Sequence, residues 1–217
     1  MILAVEPLRE VAAGIAYVPN RFVLTAAIGD HYGIALFNHY AVSSSLLQPH
    51  SSDAGWTSNG RQGETAVVPL LPMAAVLESV GEYECTLLKT DMQGMDFVGV
   101  LGAGTLLTRC RFVFAETYCN GFTSYKDARN DFQKDWLPHM TRLGFKPLSF
   151  CGDYYGESNV FWENTKFSNN QPVPISVCPQ CYDEVVMCEN SECLRAKWRR
   201  PLAIERPCHC KTRRPEW

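Results

Sequence analysis

No apolar run in this 217-residue chain approaches the roughly 18 residues of a membrane span. The amino terminus also lacks the basic start and cleavable apolar stretch of a secretory signal, which leaves the cytoplasm as the default compartment. Neither sign of charge dominates. Twenty Lys and Arg against twenty-three Asp and Glu give a net charge of -3, so no chain-wide pull acts toward nucleic acid or an acidic membrane surface. No internal repeat is present. His31, His39, His50 and His139 show no i, i+4 pairing and read as surface or core residues rather than metal ligands. Nor does a G-x-G-x-x-G turn occur: Gly99, Gly102 and Gly104 of "VGVLGAG" have a different spacing and read as close helix packing rather than a phosphate cradle.

What is present is globular. A hydrophobic content of 46% supports one main domain with a small appendage. Apolar, β-rich runs recur at 2–6, 21–29, 33–40, 65–71, 85–91, 111–117 and 158–164. Several lack polar alternation, which implies strands covered on both faces, and helical segments between them favour an α/β layer architecture. Pro7 at a first-turn position opens a short helix. A longer helix is expected over 126–143, where Phe132, Trp136, Met140 and Leu143 share a face. Ser124 with Asp127 would form its start, Pro138 a kink or split, and Gly144 its stop. Residues 41–64, rich in Ser, Gly and Asn, read as an extended surface loop.

Glu6, Asp91 and Glu116 each close an apolar strand. In a doubly wound sheet, ligands gather at the carboxyl ends of strands, so the three acids point to one polar cleft. Strand-ending acids also cap helices or pair with a neighbour such as Lys89, and both readings stay open.

"ILAVEP", "FVLTAAIGDHYGIALF", "SSSLL", "LLKTDMQGMDFVGVLGAGTLL", "FVFAET" and "FQKDWLPHMTRLGFKPLSF" resemble, in sequence and spacing, the FkbM-type S-adenosylmethionine-dependent methyltransferases. The resemblance covers about residues 2–150. "LKTDMQG", followed by Asp96 and "VLGA", is its most specific part. It implies a Rossmann-like class I methyltransferase sheet and methyl transfer from S-adenosylmethionine, with a hydroxyl oxygen on a small-molecule or glycan-like acceptor. It also implies cofactor-binding roles for Glu6 at the ribose, Asp30 near the adenine, and Asp91 and Glu116. Asp91 would be the catalytic base, or would only fix the methionyl end or the following turn. The family's first strand and glycine-rich turn have no counterpart here, since Met1 leads directly into "ILAVEP". A sheet lacking its first strand is therefore expected.

Ten cysteines divide into two groups. Cys85, Cys110, Cys119 and Cys151 are scattered through apolar surroundings and read as small buried hydrophobes. The other six cluster from Cys178 to Cys210. In "CPQCYDEVVMCENSEC", Cys178, Cys181, Cys188 and Cys193 have a spacing that can surround zinc tetrahedrally, with Cys208, His209 and Cys210 as substitutes. Disulfides and unpaired thiols remain alternatives. The expected domains are 1–152 for the incomplete methyltransferase, 153–177 for a connecting segment, and 178–217 for the cysteine-rich module. The alternative function is a non-catalytic binding module on a truncated methyltransferase scaffold with a zinc-binding interaction tail. Basic residues around Lys197, Arg199, Arg200 and Arg213 interleave with Trp198 and Trp217, but read as solvated charge rather than a nucleic-acid surface.

Overall fold

The computed structural model describes residues 1–15, 20–40, 43–50, 64–82, 84–149, 151 and 155–167, with the backbone of 175–177, 185–189 and 192–195. It divides into two compact units, Met1–Phe167 and Ser168–Trp217. No helix among the described residues is long and apolar enough to cross a membrane.

The first unit is mixed α/β with three hydrogen-bonded sheets. Strand β1 (Ile2–Val5) leads into helix α1 (Arg9–Gly14) and pairs in parallel with β2 (Arg21–Leu24). Next come β3 (Ala27–Gly29), β4 (Gly33–His39) and β5 (Glu64–Pro72), ordered β3-β5-β4, with β3 parallel and β4 antiparallel to β5. After helix α2 (Met73–Ser79), β6 (Cys85–Thr90) and helix α3 (Asp96–Leu101), a 3-10 turn over Gly104–Arg109 leads to β7 (Cys110–Cys119). A π-helical turn (Phe132–Trp136) and helix α4 (Leu137–Arg142) precede β8 (Phe145–Pro147) and β9 (Gly156–Asn164). Their sheet runs β6-β7-β9-β8 and only the β6–β7 pair is parallel. Because β9 pairs along most of β7, this unit extends past residue 152 to Phe167.

Strand β7 is apolar almost throughout because it is covered on both faces. On one face Val113 and Ala115 join Val160, Trp162, Trp136 and Met140 in the main core. On the other, Phe112 and Phe114 pack against Phe161, with ring centroids 5.3 and 5.9 Å apart. The rings of Trp136 and Trp162 stack at 6.3 Å. Aromatic pairs of this kind add roughly 0.5–1.5 kcal/mol each beyond area burial.

The structure departs from the sequence expectations in four places. The strands form three sheets rather than one doubly wound layer. Coverage on both faces fails at β4–β5: Phe37, Val68 and Leu70 are buried, but Ile34, Leu36 and Val67 on the opposite side stay 79, 63 and 71% exposed. An antiparallel hairpin needs only one packed face. The helix expected from 126 begins at Phe132, because the Asp131 carboxylate caps it by accepting from the Gln133 and Lys134 N–H groups. Ser124 instead donates to Glu157 Oε1 at 2.5 Å. Pro138 does fall in the first turn of α4, where the π turn hands over, and Gly144 (φ +86°) ends that helix. Finally, Cys119 and Cys151 are not lone hydrophobes but form a disulfide. The helical turn and strands between them bring together two residues that lie 32 apart in sequence.

The second unit contributes β10 (Ile175–Val177), β11 (Val185–Glu189) and β12 (Glu192–Arg195), an antiparallel meander in the order β10-β11-β12. Its register sets Cys188 opposite Cys193. Cys178 and Cys181 lie outside the described residues, and among those described no group of three or more His, Cys, Asp or Glu gathers as a metal site.

Candidate active site

Parallel pairing sets Thr90 beside Ala115, so Asp91 emerges from β6 next to Glu116. Glu116 is not a strand-ending acid, since β7 continues to Cys119, but it stands where β6 stops covering its neighbour. The two-residue alternation puts both acids on the face of Lys89 and Phe114.

Asp91 is exposed yet held by both oxygens. Lys89 Nζ donates to Oδ2 at 3.0 Å and Gln93 Nε2 to Oδ1 at 2.8 Å. Gln93 is itself fixed in a left-handed backbone conformation (φ +52°) that non-glycine residues seldom adopt. Its carbonyl accepts from Ser45 Oγ at 2.7 Å, and its Oε1 accepts from the Tyr125 hydroxyl at 3.0 Å, which also donates to Ser43 O. Gly94 follows at φ +88°, and a Cβ there would come within 2.8 Å of the Tyr118 hydroxyl and 2.9 Å of Tyr125. The glycine of "LKTDMQG" is thus required twice, by its backbone angle and by crowding.

Behind this turn Asp96 is buried and Glu116 half-buried. Asp96, fully enclosed at the start of α3, accepts from the Met92 N–H at 3.1 and 3.2 Å. Burial pushes its carboxyl up to about 7, with Asp91 adding to the rise and Thr90, Met92 and Lys89 partly offsetting it. Burial likewise raises Glu116 to about 9, reinforced by the charges of Asp96, Glu157 and Asp91. That direction favours the protonated form at neutral pH, and the enclosed Oε2 of Glu116 has no hydrogen-bond partner. The hydroxyl of Tyr118 is also buried without one. Asn130 ties the elements together: its Oδ1 accepts from the Phe97 N–H and Trp136 Nε1, and its Nδ2 donates to Glu116 O.

The remaining sequence candidates lie elsewhere. Glu6, half-buried after β1, accepts the Leu8 N–H at 2.9 Å through Oε1. Its carboxyl is raised, chiefly by burial, and the charges acting on it are Glu10 and His39 rather than Asp91 or Glu116. Asp30 is exposed after β3 and bonds His31 Nδ1 at 2.6 Å, a contact that lowers its carboxyl. Its backbone is pressed against α3, because a Cβ on Gly102 would stand 2.2 Å from Gly29 O and 2.9 Å from Asp30 Cα. Gly99 is similarly filled by Met92 and Ile28. These two glycines serve helix packing, as their spacing indicated.

A family model described as the methyltransferase FkbM domain matches residues 1–147. The chain belongs to the FkbM methyltransferase family. Its activity class is accordingly methyl transfer. No curated protein and no solved structure matches the chain. Within this FkbM domain, sequence reasoning singled out Asp91 and Glu116 but missed Gln93, Tyr118, Tyr125 and Asn130, and beyond the match it missed Glu157. The Gln-Gly pair after Asp91, a turn signal on its own, was the one available pointer to Gln93.

Proposed function

We propose that the chain transfers a methyl group from S-adenosylmethionine to a hydroxyl oxygen of a small-molecule or glycan-like acceptor, with Asp91 as general base. The observation that carries this reading is the pinned, exposed Asp91 carboxylate beside a half-buried Glu116 whose carboxyl is raised to about 9 and whose Oε2 has no hydrogen-bond partner. When bound, the donor supplies an electrophilic methyl on a sulfonium leaving group, so the protein's work is orientation and exclusion of water.

The residues present fit part of such a ligand. Glu116 can donate a hydrogen bond to an anionic oxygen, which suits the carboxylate of a methionyl end. Glu6 keeps Oε2 without a hydrogen bond among the described residues, which suits a ribose hydroxyl, and Asp30 belongs to the adenine end. Asp91 accepts the proton of the acceptor hydroxyl, because Lys89 and Gln93 fix its direction while each oxygen keeps a lone pair. Strands β1 and β6 each hydrogen-bond a single neighbour, yet Leu3, Val5 and Leu88 pack on the same core. This favours the two parallel pairs as halves of one methyltransferase sheet with its first-strand position open between them. The Cys119–Cys151 disulfide favours an oxidising compartment over the cytoplasmic default.

Calorimetric titration with S-adenosylhomocysteine tests the reading: saturable binding, weakened about tenfold by Glu6→Ala, is expected. Absence of binding to folded protein would instead favour the non-catalytic module. In that module zinc on Cys178, Cys181, Cys188 and Cys193 would draw on the facing positions of Cys188 and Cys193.

A further inference from the structure

The register that joins Asp91 to Glu116 at one end of β6–β7 pairs Cys85 with Cys110 at the other. Both are free thiols, Cys110 fully buried and Cys85 partly exposed. Directly paired residues on neighbouring strands lie about 4.8 Å apart, inside the window of about 4.4–6.8 Å between Cα atoms that a disulfide spans. Residues paired in this way direct their side chains to the same face of the sheet. We propose that Cys85 and Cys110 form a dithiol–disulfide site, in which Cys85 receives small disulfides from solvent and Cys110 resolves the adduct.

The two thiols are unequal in the sense this division requires. The hydrogen bond from Cys110 lowers the Cys85 thiol below its usual range, with Arg109 assisting, while that same contact and burial push Cys110 far up. The thiolate is the attacking species. Cys85 is therefore both the accessible and the reactive partner. Its sulfur attacks a disulfide RSSR, forming Cys85–S–S–R and releasing one thiolate. With Cys85 held in the mixed disulfide, the Cys85 contact and charge that raise Cys110 are gone. Cys110 gives its proton to solvent, and its thiolate attacks Cys85 Sγ and expels the second RS⁻, which takes up a proton. The two cysteines are oxidised by two electrons and RSSR is reduced to two thiols. Six residues at about 3.3 Å each separate this pair from Asp91 and Glu116, roughly 20 Å along the same strands, so the site is distinct from the methyl-transfer rim.

The test is to treat the full chain with oxidised glutathione at pH 7.5 and map tryptic peptides without reduction. The expected product joins the Cys85 peptide to the Cys110 peptide with the loss of two hydrogens. In Cys110→Ser the reaction should stop at a persistent glutathione adduct on Cys85, and in Cys85→Ser Cys110 should stay unmodified. A lasting adduct on wild-type Cys85, or modification of Cys110 when Cys85 is absent, overturns the proposal. The pH profile of iodoacetamide labelling gives an independent check on unoxidised protein. Cys85 should titrate below the ordinary thiol value of about 8.5 and return toward it in Cys110→Ala, which removes the donor. An unchanged profile in that variant overturns the division of roles.

Discussion

The two ends of the β6–β7 pair obey one register and reach opposite chemistry. At the amino end two thiols are paired by the register, with Cys110 hydrogen-bonded to Cys85 and the charge of Arg109 close by. At the carboxyl end two carboxyls lie side by side, one exposed and pinned, the other half-buried with its carboxyl raised to about 9. The hydrogen-bond ladder is common to both, so the difference comes from what packs over each end. Around the acids stand Gln93 and Tyr125, which supply hydrogen bonds, and Glu157, which supplies charge. The backbone fixes which residues meet, and burial with the neighbouring charges sets the direction in which each one's pKa moves.

The largest way to break this comparison is Asp91→Asn. Removing the base should slow methyl transfer by about 10²–10⁴-fold, measured as tritium from a labelled donor entering a panel of oligosaccharides and polyols. Because Asp91 is exposed, the thermal midpoint should hold within experimental error, and a midpoint that fell with the activity would make it a structural residue instead.

The disulfide comes next. Cys119 ends β7 just beyond Glu116, so Cys119→Ala with Cys151→Ala should cost about 2–4 kcal/mol in urea unfolding. Hydrogen exchange should quicken at 116–119 before it does at 110–113. Uniform acceleration would show that the bond secures the whole unit rather than the acid end.

The smallest effect concerns pH. A carboxyl whose folded value is raised keeps its proton in the native state after the unfolded chain has lost it, so stability falls as pH rises. For Glu116 that decline runs from about 4.5 to about 9, and for Asp96 from about 3.8 to about 7. Glu116→Gln should remove the slope above pH 7 and leave a residual one below it, raising stability at pH 8.5 by on the order of 1–3 kcal/mol. A mutant slope equal to wild type would mean that Glu116 is ionised in the native chain.

Most strand positions were legible in the sequence because β6, β7 and β9 each carry an unbroken apolar stretch, Leu87–Leu88, Phe112–Ala115 and Val160–Trp162, and that pattern survives without knowledge of partners. Asp91 and Gly94 were legible too, since a strand end followed by a glycine turn is a local signal. The start of α4's helical segment was missed by six residues because Ser124 and Asp131 are both plausible caps. Glu157, from β9, claims Ser124, which leaves Asp131 to cap the helix. The Cys119–Cys151 bond and the Asn130 hub join segments far apart in the chain, and no local window contains them.

The sequence alone determined the α/β class, the family, the acids at Asp91 and Glu116 and the glycines that α3 needs, since each depends on patterns within a few turns or strands. Only the tertiary structure decided that the described strands of the first unit divide into three sheets, that burial raises the Glu116 carboxyl, and that Cys85 meets Cys110 while Cys119 meets Cys151. Those outcomes follow from burial and from long-range register, and both are set by which surfaces come together when the chain closes on itself.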